Sequence, residues 1–164
     1  MIKAERLYLD PLLARHAEEL WPLFDDPSLW EFFPHLRPDS LDALRARFHR
    51  WEQGSPSPNE QWRNWVIRLN GDDSPIGTAQ ATICGREALL GYTIFKRAQR
   101  RGYGAEAVGC LIDYLRTCCG VNSVLAKIDA RNTASIALVR SLGLSLRAPR
   151  DDDEAGEVVY CRDF

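Results

Sequence analysis

The feature that most restricts how this chain can fold is a change of period near its middle. Residues 88–95 read as an apolar strand, a polar loop follows, and Val108, Leu111, Ile112 and Leu115 then recur on one face of a helix. Gly102-Tyr103-Gly104 opens that helix, and Gly120, a residue suited to the left-handed position just past a helix end, closes it. A strand that passes through such a loop into a helix start gathers free backbone N–H groups and the positive end of the helix dipole at one point. That arrangement suits a diphosphate. Gly102 and Gly104 carry no side chain to hold such a group away, and Arg100 and Arg101 add positive charge. Two glycines before a helix are equally compatible with a plain turn.

Two other phosphate motifs are excluded. No GxxxxGK[ST] run exists, so the lysine and the magnesium-binding hydroxyl of a nucleoside-triphosphate loop are missing. The dinucleotide fingerprint fails as well: Ala107 stands where the third glycine belongs, and the loop is not in the first βα unit of a parallel sheet.

Around this unit the pattern reads β-α-α-β-β-β-α-β-α-β-β. A strand at residues 6–10 leads into a helix at 12–24, prolines at 22, 27, 34 and 38 break the next stretch, and Trp30-Glu31-Phe32-Phe33 between them is placed to cover a pocket. Asp39-Ser40 caps a helix through Trp51 that turns Leu41, Leu44 and Phe48 inward. Residues 65–69, 76–84 and 88–95 form an antiparallel meander. Beyond the central helix come a strand at 121–128, a helix capped by Asn132 or Thr133 with Ile136, Ala137, Val139 and Leu142 inward, and two strands at 144–146 and 157–161.

With 164 residues and 45% apolar content the chain predicts one domain, residues 1–164, around one core. A net charge of −2 offers no basic footprint for nucleic acid or an anionic membrane. The first residues lack an apolar signal region, and no run approaches the about 20 apolar residues that span a bilayer, so a soluble, cytoplasmic protein is expected. Five cysteines without a CxxC pair argue against a disulfide framework and a zinc site, and reduced, mostly buried thiols and no metal are expected.

Gln99-Arg100-Arg101-Gly102-Tyr103-Gly104 resembles the Q/R-x-x-G-x-G/A signature of the GNAT acetyltransferases, between the strand and the helix where that family carries it. Trp21-Pro22-Leu23-Phe24-Asp25-Asp26-Pro27, Pro75-Ile76-Gly77, Gly91-Tyr92 and Asp129-Ala130-Arg131-Asn132-Thr133-Ala134-Ser135, running into Ser141-Leu142-Gly143-Leu144, are similar to its RimJ/RimL-like branch. The resemblance implies an α/β (α+β) fold: a mixed, mostly antiparallel, V-shaped sheet flanked by about four helices, with acetyl-CoA held between a splayed parallel strand pair, here 88–95 and 121–128.

It also implies roles. Gln99 belongs to the loop signature, and the backbone of Arg100, Arg101, Gly102, Tyr103, Gly104 and Ala105 would hold the pyrophosphate. Backbone groups of Ile94 and Phe95 would pair with pantetheine, and Asn132 would touch its arm or the thioester end, a role compatible with a helix cap. Ser135 would pass a proton to the leaving thiolate; a solvent-facing helix serine is the alternative. The implied activity is acetyl transfer to a primary amine, on a protein N-terminus or a small molecule, by direct attack in a ternary complex. A catalytically silent acyl-CoA-binding module is the other reading. Members of the family often pair, so a monomer or homodimer is expected.

The general base is left open among Glu87, Asp129, Glu154 and Glu157. The run Asp151-Asp152-Asp153-Glu154 reads as a solvated face that Arg147 and Arg150 neutralise, or as an attractor for a cationic amine. Trp21, Trp30, Trp51, Trp62 and Trp65 read first as core and second as pocket lining. His16, His35 and His49 lie outside the cofactor loop, and Leu144 replaces the family's usual phenylalanine after Gly143.

Overall fold

The computed structural model describes residues 1–150 and 153–164. Eight strands form one sheet in the order β1-β2-β3-β4-β5-β6-β8-β7. They are β1 (Ile2–Lys3), β2 (Leu7–Pro11), β3 (Glu60–Leu69), β4 (Pro75–Cys84), β5 (Glu87–Ile94), β6 (Ser123–Asp129), β7 (Ser145–Leu146) and β8 (Glu157–Asp163). All neighbours run antiparallel except β5 and β6. Four α-helices complete the fold: α1 (Ala17–Phe24), α2 (Leu41–Gln53), α3 (Tyr103–Cys119) and α4 (Thr133–Ser141). The expected architecture is therefore present.

The sheet has a core on each face, and β3 shows why. Side chains alternate along a strand, so Trp65 and Ile67 enter one cluster, with Val108, Leu111 and Leu115 of α3, while Val66 between them enters the other, with Leu20, Phe24, Leu44 and Phe48. The second cluster is aromatic. Phe24 meets Trp30, Phe48 and Phe95 at centroid distances of 5.6, 6.0 and 5.5 Å, spacings at which ring edges and faces attract.

The differences from the sequence reading have local causes. Leu12 does not start a helix, because its N–H donates to the Asn64 carbonyl at 2.9 Å and prolongs the sheet edge. A 3₁₀ turn at Ala14–His16 precedes α1, which runs through Pro22. That proline removes only the bond to Glu18, near the end of a short helix, so the helix survives two further residues. The third strand starts at Glu60, not at 65, because β4 reaches Cys84 and pairs along the whole length. Strand β1 spans only two residues and carries no readable period. In α4, Leu138 rather than the exposed Ala137 packs inward.

None of the five free cysteines is fully buried, and Cys84 and Cys118 are exposed. Asp151 and Asp152 lie outside the described residues; Asp153 is held by the Arg147 guanidinium and accepts the Arg150 N–H at 2.8 Å. Among the described residues no helix is long and apolar enough to cross a membrane.

Candidate active site

The two parallel strands separate part-way along. Strand β5 pairs with β6 only from Glu87 to Leu90, whereas it stays paired with β4 as far as Ile94, and β6 stays paired with β8 as far as Asp129. Each strand thus follows its antiparallel neighbour, and a wedge opens between them. The Phe95 N–H donates to the Ile76 carbonyl at 2.8 Å. Antiparallel alternation then turns the backbone groups of 93 and 91 toward β4 and those of Ile94 and Tyr92 into the wedge. Strand groups left in this way call for a polar partner.

This geometry corrects one expected contact. The Phe95 N–H is bonded to Ile76, its carbonyl accepts from Ala98 at 2.8 Å, and its ring is buried in the aromatic cluster. The backbone that faces the wedge is that of Tyr92 and Ile94. The Ile94 carbonyl already accepts the Gln99 side-chain amide at 2.9 Å, which folds the start of the loop back on the strand.

After the 3₁₀ turn Lys96–Ala98, Arg100 takes a left-handed φ of 62° and Gly102, the N-cap of α3, a φ of 80°. No acceptor among the described residues takes the N–H groups of residues 100–105; the first bonded amide is that of Glu106, to the Gly102 carbonyl. These unbonded amides lie at the start of a helix of 17 residues, where N–H groups and the helix dipole suit an anion. Arg6 braces it: its guanidinium bonds Glu106 at 2.7 Å and the Arg101 carbonyl at 3.1 Å and lies 4.7 Å from the Tyr103 ring centre. The two glycines do different work. A side chain on Gly102 would meet only the end of Arg6, so its left-handed φ is what requires glycine. A methyl at Gly104 would lie 2.7 Å from Leu138 Cδ1 and 3.4 Å from Ile94 Cγ1, so this glycine serves close packing of α3 on α4 and β5.

The wedge opens into a cavity of about 520 Å³, within the usual range for a small-molecule site. Its floor is formed by Thr78, Gln80, residues 90–93 and residues 126–128, and its far side by Asn132 and Ser135. Phe24, Leu29, Trp30, Phe33, Leu36 and Trp51 form an apolar wall, so the segment between the prolines does cover a pocket. Trp30 is held there by its indole N–H, which donates to the Phe24 carbonyl at 2.8 Å. Trp51 stacks on Phe48 at 5.6 Å. Trp65 instead packs in the core against Tyr114 at 6.1 Å.

Asn132 caps α4, its Oδ1 accepting the Ser135 N–H at 3.1 Å, and it also lines the cavity. Ser135 is half-buried rather than solvent-facing. Its Oγ lies 2.5 Å from the hydroxyl of Tyr92, whose pKa is raised by burial although the bond to Ser135 opposes the shift. A protonated phenol in contact with a serine hydroxyl can hold and deliver a proton.

Among the described residues no carboxylate lines the cavity. Glu87 starts β5 and pairs with Cys84 and Ser123, at the opposite end from the wedge. Asp129 is engaged by Arg131 at 2.7 and 2.9 Å, and these bonds bring its pKa down to about 2, too low for a useful base near neutral pH. Glu154 is exposed, and Glu157 is raised chiefly by burial, then by Glu154. His16 lies away from the cavity: Nδ1 accepts the Leu13 N–H at 3.2 Å, and burial lowers its pKa. The sequence reading passed over Tyr92 as a site residue, and over Arg6, Arg47, Arg50 and Lys127. For Arg47 and Arg50 a signal existed: they stand three residues apart on α2, next to Trp51.

Known proteins share this architecture. The family model described as an acetyltransferase (GNAT) domain matches residues 6–145. An uncharacterized N-acetyltransferase, p20, of Bacillus licheniformis is 30% identical over 141 residues, covering 84% of this chain and 78% of that protein. The crystal structure of a GNAT-family acetyltransferase from Bacillus anthracis superposes with a TM-score of 0.80 at 17% identity, covering 99% of this chain and 97% of that one. RimL, a ribosomal L7/L12 α-N-protein acetyltransferase, superposes in its apo form with a TM-score of 0.83 at 16% identity, covering 100% of this chain and 96% of that one.

Proposed function

Because this chain belongs to the GNAT acetyltransferase family, and is on that ground an acetyl-CoA-dependent acyltransferase, we propose that it acetylates a primary amine bound in the aromatic cavity, by direct attack in a ternary complex. The observation that carries this reading is the wedge between β5 and β6, which opens into the cavity while β5 leads through residues 96–99 to the unbonded amides of 100–105.

Bound acetyl-CoA would supply an activated acetyl group as a thioester. Residues 100–105 hold its diphosphate by backbone N–H groups, with the α3 dipole and Arg100 and Arg101 beside them. Tyr92 and Ile94 offer backbone groups to the amide-bearing arm, and Asn132 stands at the far side of the cavity. The Tyr92 hydroxyl, bonded to Ser135 Oγ, holds the proton that the departing sulfur takes up. With Arg47, Arg50 and Lys127 around the cavity and no carboxylate among the described residues that line it, a bound amine is favoured in its neutral, nucleophilic form, and its proton leaves to water. Holding both reactants in one cavity contributes the rest.

The likeness to RimL supports a protein α-amine as acceptor, and the aromatic wall supports a small amine. The free cysteines, two of them exposed, support a reducing, cytoplasmic location.

The test is release of free CoA thiol, read with a thiol-reactive dye, over N-terminal peptides, amino acids, polyamines and aminoglycosides. Turnover with one class, lost in Gly102→Glu through failed acetyl-CoA binding, is expected. Intact acetyl-CoA binding with no turnover on any amine would refute the transferase role.

A further inference from the structure

The cationic side chains around the cavity have no use in holding the cofactor loop. Arg47 and Arg50 of α2 and Lys127 of β6 line the cavity. Several arginines that brace the fold are paired with acids, among them Arg6 with Glu106, Arg37 with Asp25, Arg45 with Glu18 and Asp42, and Arg68 with Glu19. Among the described residues neither Arg47 nor Arg50 hydrogen-bonds or ion-pairs with any carboxylate. Arg47 is nonetheless half-buried. Burial holds its guanidinium below the usual range, neighbouring Arg50 adds to this, and Asp39 opposes it without bonding. A part-buried charge left without a partner is costly, and two adjacent guanidiniums with free donors match a carboxylate's geometry.

Resting on the acetyltransferase reading above, we propose that the acceptor is an amine that also carries a carboxylate and an apolar or aromatic body, and that Arg47 and Arg50 bind the carboxylate. The body lies against Trp30, Phe33 and Trp51, and the amine points toward Tyr92 and the wedge. A polyamine or aminoglycoside calls for an acidic pocket, whereas the charged residues among the described lining are Arg47, Arg50 and Lys127.

Matched acceptors test this in two independent readouts. In the first, kcat/KM is measured for phenylalanine against phenethylamine and phenylalaninamide, and for aspartyl-phenylalaninamide against alanyl-phenylalaninamide. The carboxylate-bearing member of one pair is preferred by on the order of 30-fold. Preference in the first set names a free amino acid, and preference in the second an acidic peptide N-terminus. In Arg47→Gln/Arg50→Gln the ratio collapses toward one through KM, with the Kd for acetyl-CoA within about twofold of the parent; Arg47→Lys/Arg50→Lys keeps part of the preference. A ratio near one in the parent protein, or a ratio that survives the glutamine pair, overturns the proposal.

The second readout needs no turnover: tryptophan fluorescence, with Trp30 and Trp51 as reporters, follows binding of N-acetylphenylalanine against N-acetylphenethylamine. Tighter binding of the acid, lost in the glutamine pair, supports carboxylate recognition even where no transfer is seen, and equal binding overturns it. Loss of transfer with this preference intact would refute the transferase role and leave the anion site standing.

Discussion

Gly104 separates two explanations of the same glycine. The sequence motif suggests clearance for a phosphate; the structure puts its missing methyl 2.7 Å from Leu138 Cδ1, about 1 Å inside the 3.5–4.0 Å at which carbon atoms rest. In Gly104→Ala either Leu138 leaves its rotamer or α4 shifts. Overpacking of this size costs about 1–3 kcal/mol, and the better helix propensity of alanine returns up to ~1 kcal/mol. The net loss is about 1.5 kcal/mol, or roughly 3–6 °C in Tm for a domain of this size. Leu138→Ala, at a half-buried position, costs about 2 kcal/mol alone. Because the second change removes the atom that the first strikes, the double variant should lose only about 2 kcal/mol, not the additive ~3.5, a coupling of about 1.5 kcal/mol. Urea unfolding of the four proteins gives the cycle, and acetyl-CoA titration runs beside it. Affinity should recover in the double variant. Additive stabilities within about 0.5 kcal/mol, or an affinity that stays weak when stability returns, would refute the packing account.

Three further expectations follow from single contacts. Tyr92→Phe and Ser135→Ala should each lower kcat by about 10–100-fold with KM for acetyl-CoA nearly unchanged; equal losses in stability and no loss in kcat would mark the pair as structural. Arg100→Gly relieves a left-handed residue and should raise stability by about 1 kcal/mol while weakening acetyl-CoA binding, read by Tm and Kd; a fall in Tm would show that the Arg100 side chain, not its dihedral, matters. His16, held neutral by burial and by Arg68 against the opposite pull of Asp10, takes up a proton in the unfolded chain first, so the fold loses stability as pH falls below about 6.5 toward the lowered folded value. His16→Asn should lose less than the parent between pH 7 and 5.5, and parallel losses would contradict the assignment.

What the sequence revealed follows from where local signals are strong. The loop at residues 99–104 is legible because left-handed glycine and a helix start need particular residues in a fixed order, and α3 because its apolar face repeats over 17 residues. The wedge could be reached only through the family resemblance, since a strand does not announce where its partner leaves it. Pairing Phe95 with Ile94 at the wedge misses for the same reason: which strand residues face a gap depends on register with β4, a long-range fact. Tyr92 was passed over because an aromatic in a strand reads as packing until Ser135, 43 positions away, is placed beside it.

The two cores explain why the acceptor side was the harder half to read. The amide loop, α3 and α4 rest on the cluster built from Val108, Leu111, Leu115 and Ile67, while Trp30, Phe24 and Phe48 belong to a separate cluster across the sheet. A substitution on α2 therefore changes the wall of the acceptor cavity without touching a side chain that supports the amides of 100–105, and substitutions that far apart in the fold act nearly independently. One half can diverge with the acceptor while the other stays fixed by the cofactor. In this chain Ser40, Leu44 and Phe48 anchor α2 by a cap and two buried side chains, which leaves Arg47 and Arg50 free to be whatever the acceptor requires, and they are both cations.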